Sequence, residues 1–273
     1  MRRIDFMGLP GSGKSTVYEA LQKNKPRPGS WLSREEAREK ALVRLVLAGC
    51  SSPGAAFKAR IKALLIRSRL ANRIANVAKN HFASRQELLY LHFAAAHGEF
   101  IKACAGGFKL SPADEAAAFT RFFLSAKWFL QKTAELQLLQ EGLPPGDAVV
   151  FDESLSHKVF EVINFDTAPL SDLQVQQIEK IFAAIPPPAA VVLFMEDGAI
   201  VERRLQQQPR LRQRELLQAG RDLKRWLEDA LVLIETGKRI YQERNVPILE
   251  LPPGGDVQSR VEAVGSFLKQ LKD

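Results

Sequence analysis

Short apolar runs alternate with longer stretches of helical spacing over most of the chain. The apolar runs predict strands at residues 4–7, 147–151, 188–196 and 246–251, with a further edge strand near Trp31. Helical patterns are found at 15–21, from Ser33 onward, and at 171–185, 197–208, 215–244 and 257–271. Strands separated by helices in this way predict a parallel α/β sheet with helices on both faces.

Residues 53–141 differ from the rest because they are rich in alanine and leucine and contain no convincing strand. Three helices are predicted in this stretch: one within 53–82, one from Arg85 to about His97, and one with Ser111 and Pro112 at its start and Gly142 at its end. We therefore predict one domain over 1–273, with a helical lobe at about 53–142 inserted between core strands. For the aromatic residues of the third helix, core packing is favoured over stacking on a ligand: Phe119, Phe122, Phe123, Trp128 and Phe129.

A glycine-rich turn follows the first predicted strand. Its sequence fits the G-x-x-x-x-G-K-[ST] pattern of the P-loop, or Walker A motif, and the next predicted helix completes the required strand, loop and helix. Backbone N–H groups and the positive end of the helix favour phosphate there. The alternative is a flexible connector, which the coincidence of three matching elements disfavours. The predicted nucleotide-binding residues are Gly8, Pro10, Gly11, Ser12, Gly13, Lys14, Ser15 and Thr16.

Two side chains of this loop have distinct predicted roles. Lys14 is expected to reach the β- and γ-phosphates, and the Ser15 hydroxyl to take one position on Mg²⁺. The predicted cofactors are accordingly ATP and Mg²⁺.

Asp152 and Glu153 directly follow the predicted strand at 147–151. Ligands gather at the carboxyl ends of strands in open α/β sheets, which predicts that this pair lies beside the P-loop. One carboxylate can orient a Mg²⁺-bound water, and the other can accept a proton from water or a substrate hydroxyl. The alternative is a polar strand end with an acid that caps a helix.

An arginine-rich stretch follows the next strand. Arg203 and Arg204 lie on a predicted helix, and a proline-broken segment then carries Arg210, Arg212 and Arg214. Guanidinium groups neutralise charge on a transferring phosphoryl group, so we predict a mobile lid at about 203–215. A solvated basic loop is the alternative.

The net charge of +8 is concentrated in one segment, because ten basic residues and no acidic residue lie between Glu39 and Glu87. On a helix, the basic side chains at 58, 62, 69 and 73 form a narrow stripe. This stripe can be a solvated face, can hold an anionic acceptor such as an acidic glycan, or can lie against acidic lipid or nucleic acid. Nucleic acid is the weakest of these partners, because no recognisable binding module accompanies the charge.

Other features narrow the class of protein. No apolar run approaches the length of a membrane span, and the first strand begins too early for a signal peptide, which predicts a cytoplasmic protein. Cys50 and Cys104 are expected to be reduced packing residues, and four scattered histidines form no metal-site pattern.

The P-loop and the segments 149–154, 191–215 and 246–257, in that order, resemble the thymidylate kinase and deoxynucleoside kinase group of P-loop kinases. The resemblance implies a three-layer P-loop NTPase sandwich with a parallel sheet. It also implies that Asp152 is a catalytic carboxylate and Mg²⁺ ligand, that Arg203 lies near the adenine, and that Arg210 to Arg214 belong to the lid. Residues 252–256 would lie against the base.

Two positions depart from the pattern of that group. Glu153 occupies the position at which the group has an arginine that binds the acceptor's phosphate or sugar. His97 occupies the position of a second arginine, which binds the acceptor phosphate in that group. We therefore expect a hydroxylated small molecule as acceptor, nucleoside-like or sugar-like or a glycan, rather than a phosphorylated one.

These observations predict an ATP-dependent kinase that transfers the γ-phosphoryl group to an acceptor hydroxyl. Lys14, Asp152, Glu153, Arg210, Arg212 and Arg214 are the predicted catalytic residues. One alternative is a P-loop ATPase or nucleotide-dependent switch in which Glu153 activates water. Another is a module that binds a nucleotide without turning it over.

Overall fold

The computed structural model describes residues 1–25, 31–48, 85–109, 115–163, 169–207 and 222–271. The described chain divides into two units. The first comprises 1–2, 31–48, 85–96 and 127–149, and the second comprises the remaining described residues. The predicted domain limits, the lobe at about 53–142 and the lid at about 203–215 stay predictions. No described helix is long and apolar enough to cross a membrane.

The described strands are β1 (Arg2–Gly8), β2 (Leu32–Ser33), β3 (Ala148–Phe151), β4 (Ala190–Phe194) and β5 (Ile248–Leu251). The described helices before β3 are α1 (Lys14–Lys23), α2 (Arg34–Ala48), α3 (Gln86–Ala96), α4 (Gly98–Lys109) and α5 (Glu115–Gly142). Those after it are α6 (Leu155–Val162), α7 (Asp172–Ala184), α8 (Gly198–Gln207), α9 (Leu223–Glu243) and α10 (Val257–Gln270).

The described strands form one parallel sheet in the order β2-β3-β1-β4-β5. In this sheet Ile4 pairs with Ala190 and Gly8 with Phe194, while Val191 pairs with Ile248. The predicted parallel α/β fold is confirmed. Because parallel strands end at the same edge, the segments that follow β3, β1, β4 and β5 are brought to that edge in this order.

Neighbouring side chains of β1 show that helices cover both faces of the sheet in the second unit. The ring of Phe6 packs edge-on against Tyr18 of α1, with 6.1 Å between ring centroids. Met7 points the other way, since its Cε lies beside Gly237 of α9 and close to the position that a Cβ would take there. Successive strand side chains alternate between faces, so α1 and α9 lie on opposite sides of β1. The layers are therefore helix, sheet and helix.

In the first unit, helix α2 begins where the sequence predicted. Ser33 N donates to Glu36 Oε2 at 2.8 Å, and Glu36 N donates to Ser33 Oγ at 3.2 Å, so these residues form a capping box at the start of the helix predicted from Ser33 onward. Gly142 ends α5 as predicted, and a Cβ there would lie 2.5 Å from Cβ of Ala41. The segment 111–114, with the predicted start of this helix, lies outside the described residues.

The structure adds two helices that the pattern did not predict, α4 and α6. Helix α4 contains Gly106 and Gly107, which lower helix propensity, yet a Cβ on Gly107 would lie 2.7 Å from Val162 Cγ1. The glycine therefore permits close packing on the end of α6. Helix α6 has only eight residues, which is too short for its hydrophobic spacing to mark it as a helix.

Candidate active site

The P-loop follows β1 in a backbone conformation that requires glycine at several positions. Gly8, Gly11 and Gly13 have φ values of 149°, 85° and 91°. A Cβ on Gly8 would also lie 2.7 Å from the carbonyl oxygen of Phe194 in the neighbouring strand. Both the conformation and the close approach exclude a larger residue at this position.

The N-terminus of α1 is suited to an anion. Gly13 is the residue before the helix, and no side chain caps the first turn. The first N–H groups of a helix have no partner within it, and they carry the positive end of its dipole. A phosphate group fits this position.

Lys14 brings its ammonium group to the same loop. Its Nζ donates to the carbonyl oxygens of Gly8 and Leu9, at 2.8 Å each, and the residue is 6% exposed. These hydrogen bonds to the P-loop backbone compensate for the burial of the Lys14 charge. Ser12 is fully buried beside it, and its Oγ has no hydrogen-bond partner in the described structure.

A cavity of about 310 Å³ opens against this loop. The described residues that line it come from the P-loop and the start of α1, from Glu153 and α6, and from α8. They are Pro10, Gly11, Gly13, Lys14, Ser15, Thr16, Glu153, His157, Arg204, Leu205 and Gln207. The sheet thus brings the predicted loop and one predicted carboxylate together.

The two predicted carboxylates take different positions. Glu153 lines the cavity, and its Oε1 lies 3.8 Å from His157 Nε2 and its Oε2 lies 4.0 Å from Lys158 Nζ. Asp152 is not among the described lining residues, and its Oδ1 accepts the backbone N–H of Glu153 at 2.9 Å. Asp152 therefore holds the backbone that presents Glu153.

The arginines divide in a way that the sequence did not predict. Arg203 is exposed and does not line the cavity among the described residues, whereas Arg204 does. Nη1 of Arg204 donates to the Gly11 carbonyl and to Glu196 Oε2, at 3.2 Å each. Arg210, Arg212 and Arg214 lie outside the described residues, as does the basic stripe at 58–73.

The residues present fit a magnesium ion that is held mainly by phosphate oxygens and water. In the described ranges, no group of three or more His, Cys, Asp or Glu side chains could hold a metal ion by itself. Magnesium in phosphate-binding sites commonly takes only one or two protein ligands. Ser15 lines the cavity, as its predicted role requires, and Asp152 stays a predicted ligand.

The solved structures that match this chain include two of a deoxyadenosine kinase from M. mycoides. The structure with bound dCTP is 13% identical with a TM-score of 0.45, over 98% of this chain and 99% of that chain. The structure with dCMP and a flexible dCDP is 12% identical with a TM-score of 0.39, over 99% of this chain and 100% of that chain. No protein-family model matches the sequence, and no curated protein matches it significantly.

Both of these structures are of a deoxyadenosine kinase, and the sequence motifs resemble the deoxynucleoside kinase group. Neither match assigns an activity or a ligand to this chain.

The sequence analysis missed three residues of the site: His157, Glu196 and Arg260. It placed Arg204, Leu205 and Gln207 within the predicted lid without assigning any of them a role. His157 follows Glu153 by four residues, a spacing that would have indicated a shared face had α6 been predicted. Glu196 follows β4 as Asp152 follows β3, so the rule applied to one strand end would have found it at the other. Arg260 carries no local signal, because it reaches the P-loop from α10.

Proposed function

We propose that this protein is an ATP- and Mg²⁺-dependent kinase that phosphorylates an acceptor hydroxyl. The observation that carries the proposal is the cavity where Lys14, the uncapped N-terminus of α1 and the Glu153 carboxylate meet. A concave cationic loop facing a carboxylate is the arrangement that phosphoryl transfer to a hydroxyl needs.

The P-loop residues hold the phosphate tail in this proposal. Backbone N–H groups of Gly11 to Thr16 bind phosphate oxygens, Lys14 neutralises the β- and γ-phosphates, and the Ser15 hydroxyl ligates the metal with Asp152 as the second protein ligand. Mg²⁺, when bound, compensates charge on the phosphate oxygens. Lys14 must exchange its contacts with the Gly8 and Leu9 carbonyls for phosphate contacts.

The proton of the acceptor hydroxyl is taken by the carboxylate pair. Glu153 lines the cavity, so it is placed to accept that proton, and the Asp152 side chain fixes its backbone. His157 is placed to bind the Glu153 carboxylate and orient it. Arg204 adds positive charge to the cavity from α8. The proposed lid residues are Arg210, Arg212 and Arg214. Arg203 is the proposed neighbour of the adenine.

The acceptor that this site favours is a neutral hydroxyl compound, nucleoside-like or sugar-like. Glu153 contributes negative charge next to the P-loop, where an arginine would be needed to bind an acceptor phosphate. A larger anionic acceptor such as a glycan would depend on the basic stripe at 58–73.

A second candidate function is an ATPase or nucleotide-dependent switch. The observation that favours it is that Glu153, rather than Asp152, lines the cavity among the described residues. A carboxylate in that position can activate water in place of a substrate hydroxyl.

The test compares ADP release by the purified protein with and without a panel of nucleosides, sugars and related alcohols. A kinase gives acceptor-dependent ADP release that Lys14→Ala abolishes. Glu153→Gln should lower kcat by about 10²- to 10⁴-fold, the usual contribution of a general base. No acceptor-dependent release with any compound would contradict the kinase.

The two candidate functions separate on the same variants. Steady hydrolysis without acceptor, lost in Glu153→Gln and retained in Asp152→Asn, identifies the ATPase. Circular dichroism and thermal melting of each variant confirm that it is folded before its activity is compared.

A further inference from the structure

Glu196 is a carboxylate that joins three segments around the P-loop. It lies two residues beyond β4, and its side chain is 1% exposed. Among the described residues, its donors are Arg204 of α8, Arg260 of α10 and the backbone N–H of Gly254 after β5, all at 3.2 Å. A buried carboxylate is costly unless it is paired in this way.

The charge state of Glu196 follows from these partners. Burial alone would raise the pKa of the carboxyl. The Gly254 N–H and the positive charges of Arg260 and Arg204 outweigh that effect and hold the pKa below its ordinary value. Glu196 is therefore ionised at neutral pH, when both guanidinium groups are positively charged.

The two arginines bound to Glu196 also reach consecutive carbonyl groups of the P-loop. Arg204 Nη1 donates to the Gly11 carbonyl, and Arg260 Nη1 donates to the Ser12 carbonyl, at 3.2 Å each. A trans peptide is planar, with its C=O and N–H directed oppositely. Holding the Ser12 carbonyl therefore fixes the direction of the Gly13 N–H, at the start of α1.

We propose that Glu196 is a positioning residue that holds Arg204 and Arg260 on the P-loop carbonyls and so preorganises the loop for a nucleoside triphosphate. This inference rests on the proposed function only in assuming that the P-loop binds a nucleotide. Arg260 does not line the cavity among the described residues, so any effect of Arg260 on nucleotide affinity must pass through the loop.

Nucleotide binding tests the proposal without any turnover. The dissociation constant of a non-hydrolysable ATP analogue with Mg²⁺ is measured by calorimetry for the full chain and for Glu196→Gln. The glutamine keeps an acceptor for the Gly254 N–H and loses the charge that holds both arginines. We expect binding about tenfold to a hundredfold weaker, the range for hydrogen bonds to charged groups.

Matched variants separate positioning from general destabilisation. Glu202→Gln removes a carboxylate from the same helix as Arg204, where its Oε1 accepts from Gln206 at 3.1 Å, and should leave the dissociation constant unchanged. Arg260→Gln should also weaken binding, but by no more than Glu196→Gln, because it removes only one of the two arginine contacts with the P-loop. The double variant should bind no more weakly than Glu196→Gln alone, because that change already releases the Arg260 contact.

The results distinguish this inference from the proposed function. If the unmodified protein binds no nucleotide, the proposed function fails. If it binds and Glu196→Gln binds equally well, or if the effects of Glu196→Gln and Arg260→Gln simply add, the positioning role is overturned. Each variant is measured well below its melting temperature, so that only folded protein contributes.

Discussion

Ser156 Oγ donates a hydrogen bond to Asp5 Oδ2 at 2.6 Å, and both residues are fully buried. Tyr241 OH lies 2.7 Å from the same Ser156 Oγ. A serine hydroxyl has one proton, and Ser156 gives it to the carboxylate, so the Tyr241 hydroxyl is the donor to Ser156. Burial, with the nearby Asp5 charge, raises the pKa of Tyr241 and keeps that proton in place. These two hydrogen bonds join β1 and α9 to α6, the helix that carries His157.

The first prediction is that Ser156→Ala destabilises the protein. It removes the hydrogen bond to Asp5 and the acceptor for Tyr241, which leaves buried polar groups unsatisfied. The free energy of unfolding should fall by about 1–3 kcal/mol, measured by chemical denaturation. Ser154→Ala is a matched control on the adjoining turn, because its buried Oγ has no hydrogen-bond partner in the described structure. Equal losses in the two variants would contradict the prediction.

The second prediction concerns a glycine in the middle of α9. A Cβ on Gly237 would lie 2.6 Å from Met7 Cε and 2.6 Å from Phe182 Cζ. Gly237→Ala should therefore lower the free energy of unfolding by about 1–3 kcal/mol through overpacking. Gly265→Ala in α10 meets no atom within 4 Å and should raise stability by roughly 0.5–1 kcal/mol. Thermal melting of the pair should shift in opposite directions, and a parallel shift would refute the packing argument.

The third prediction is that His97 stays neutral to lower pH than an ordinary histidine. Burial, and then the positive charge of Arg3, lower its pKa below 6.5. The unfolded chain then binds a proton that the folded chain does not, so this residue favours unfolding as the pH falls below 6.5. The ring resonance of His97, assigned by its loss in His97→Gln, should titrate below 6.5 in NMR spectra. A midpoint at or above 6.5 would contradict the lowering of the His97 pKa by burial and by the charge of Arg3.

The fourth prediction is that Cys104 does not react in the folded protein. It is a free thiol with 1% exposure, and burial raises its pKa, so little thiolate is present at neutral pH. In a Cys50→Ser background, a thiol reagent should label Cys104 only after denaturant is added. Labelling at the same rate without denaturant would contradict its burial.

Much of the fold could be predicted from the sequence because the signals are local. The capping boxes at Ser33 and Ser171, the glycines of the P-loop and the apolar runs of the strands each depend on neighbouring residues. Helix α6 was not predicted because its eight residues are too few for the helical spacing to stand out. Helix α4 was missed because its glycines weaken helix propensity, and only packing explains them.

The sequence by itself determined that a P-loop follows β1 and that two carboxylates follow β3, because each feature is formed by a few adjacent residues. Tertiary structure alone decided that Glu153 lines the cavity while Asp152 does not, and that Arg204 lines it in place of Arg203. It also decided that Glu196 joins Arg204 to Arg260. The physical reason is that side-chain direction and long-range pairing depend on how strands are ordered and how helices pack, and residues distant in sequence set both.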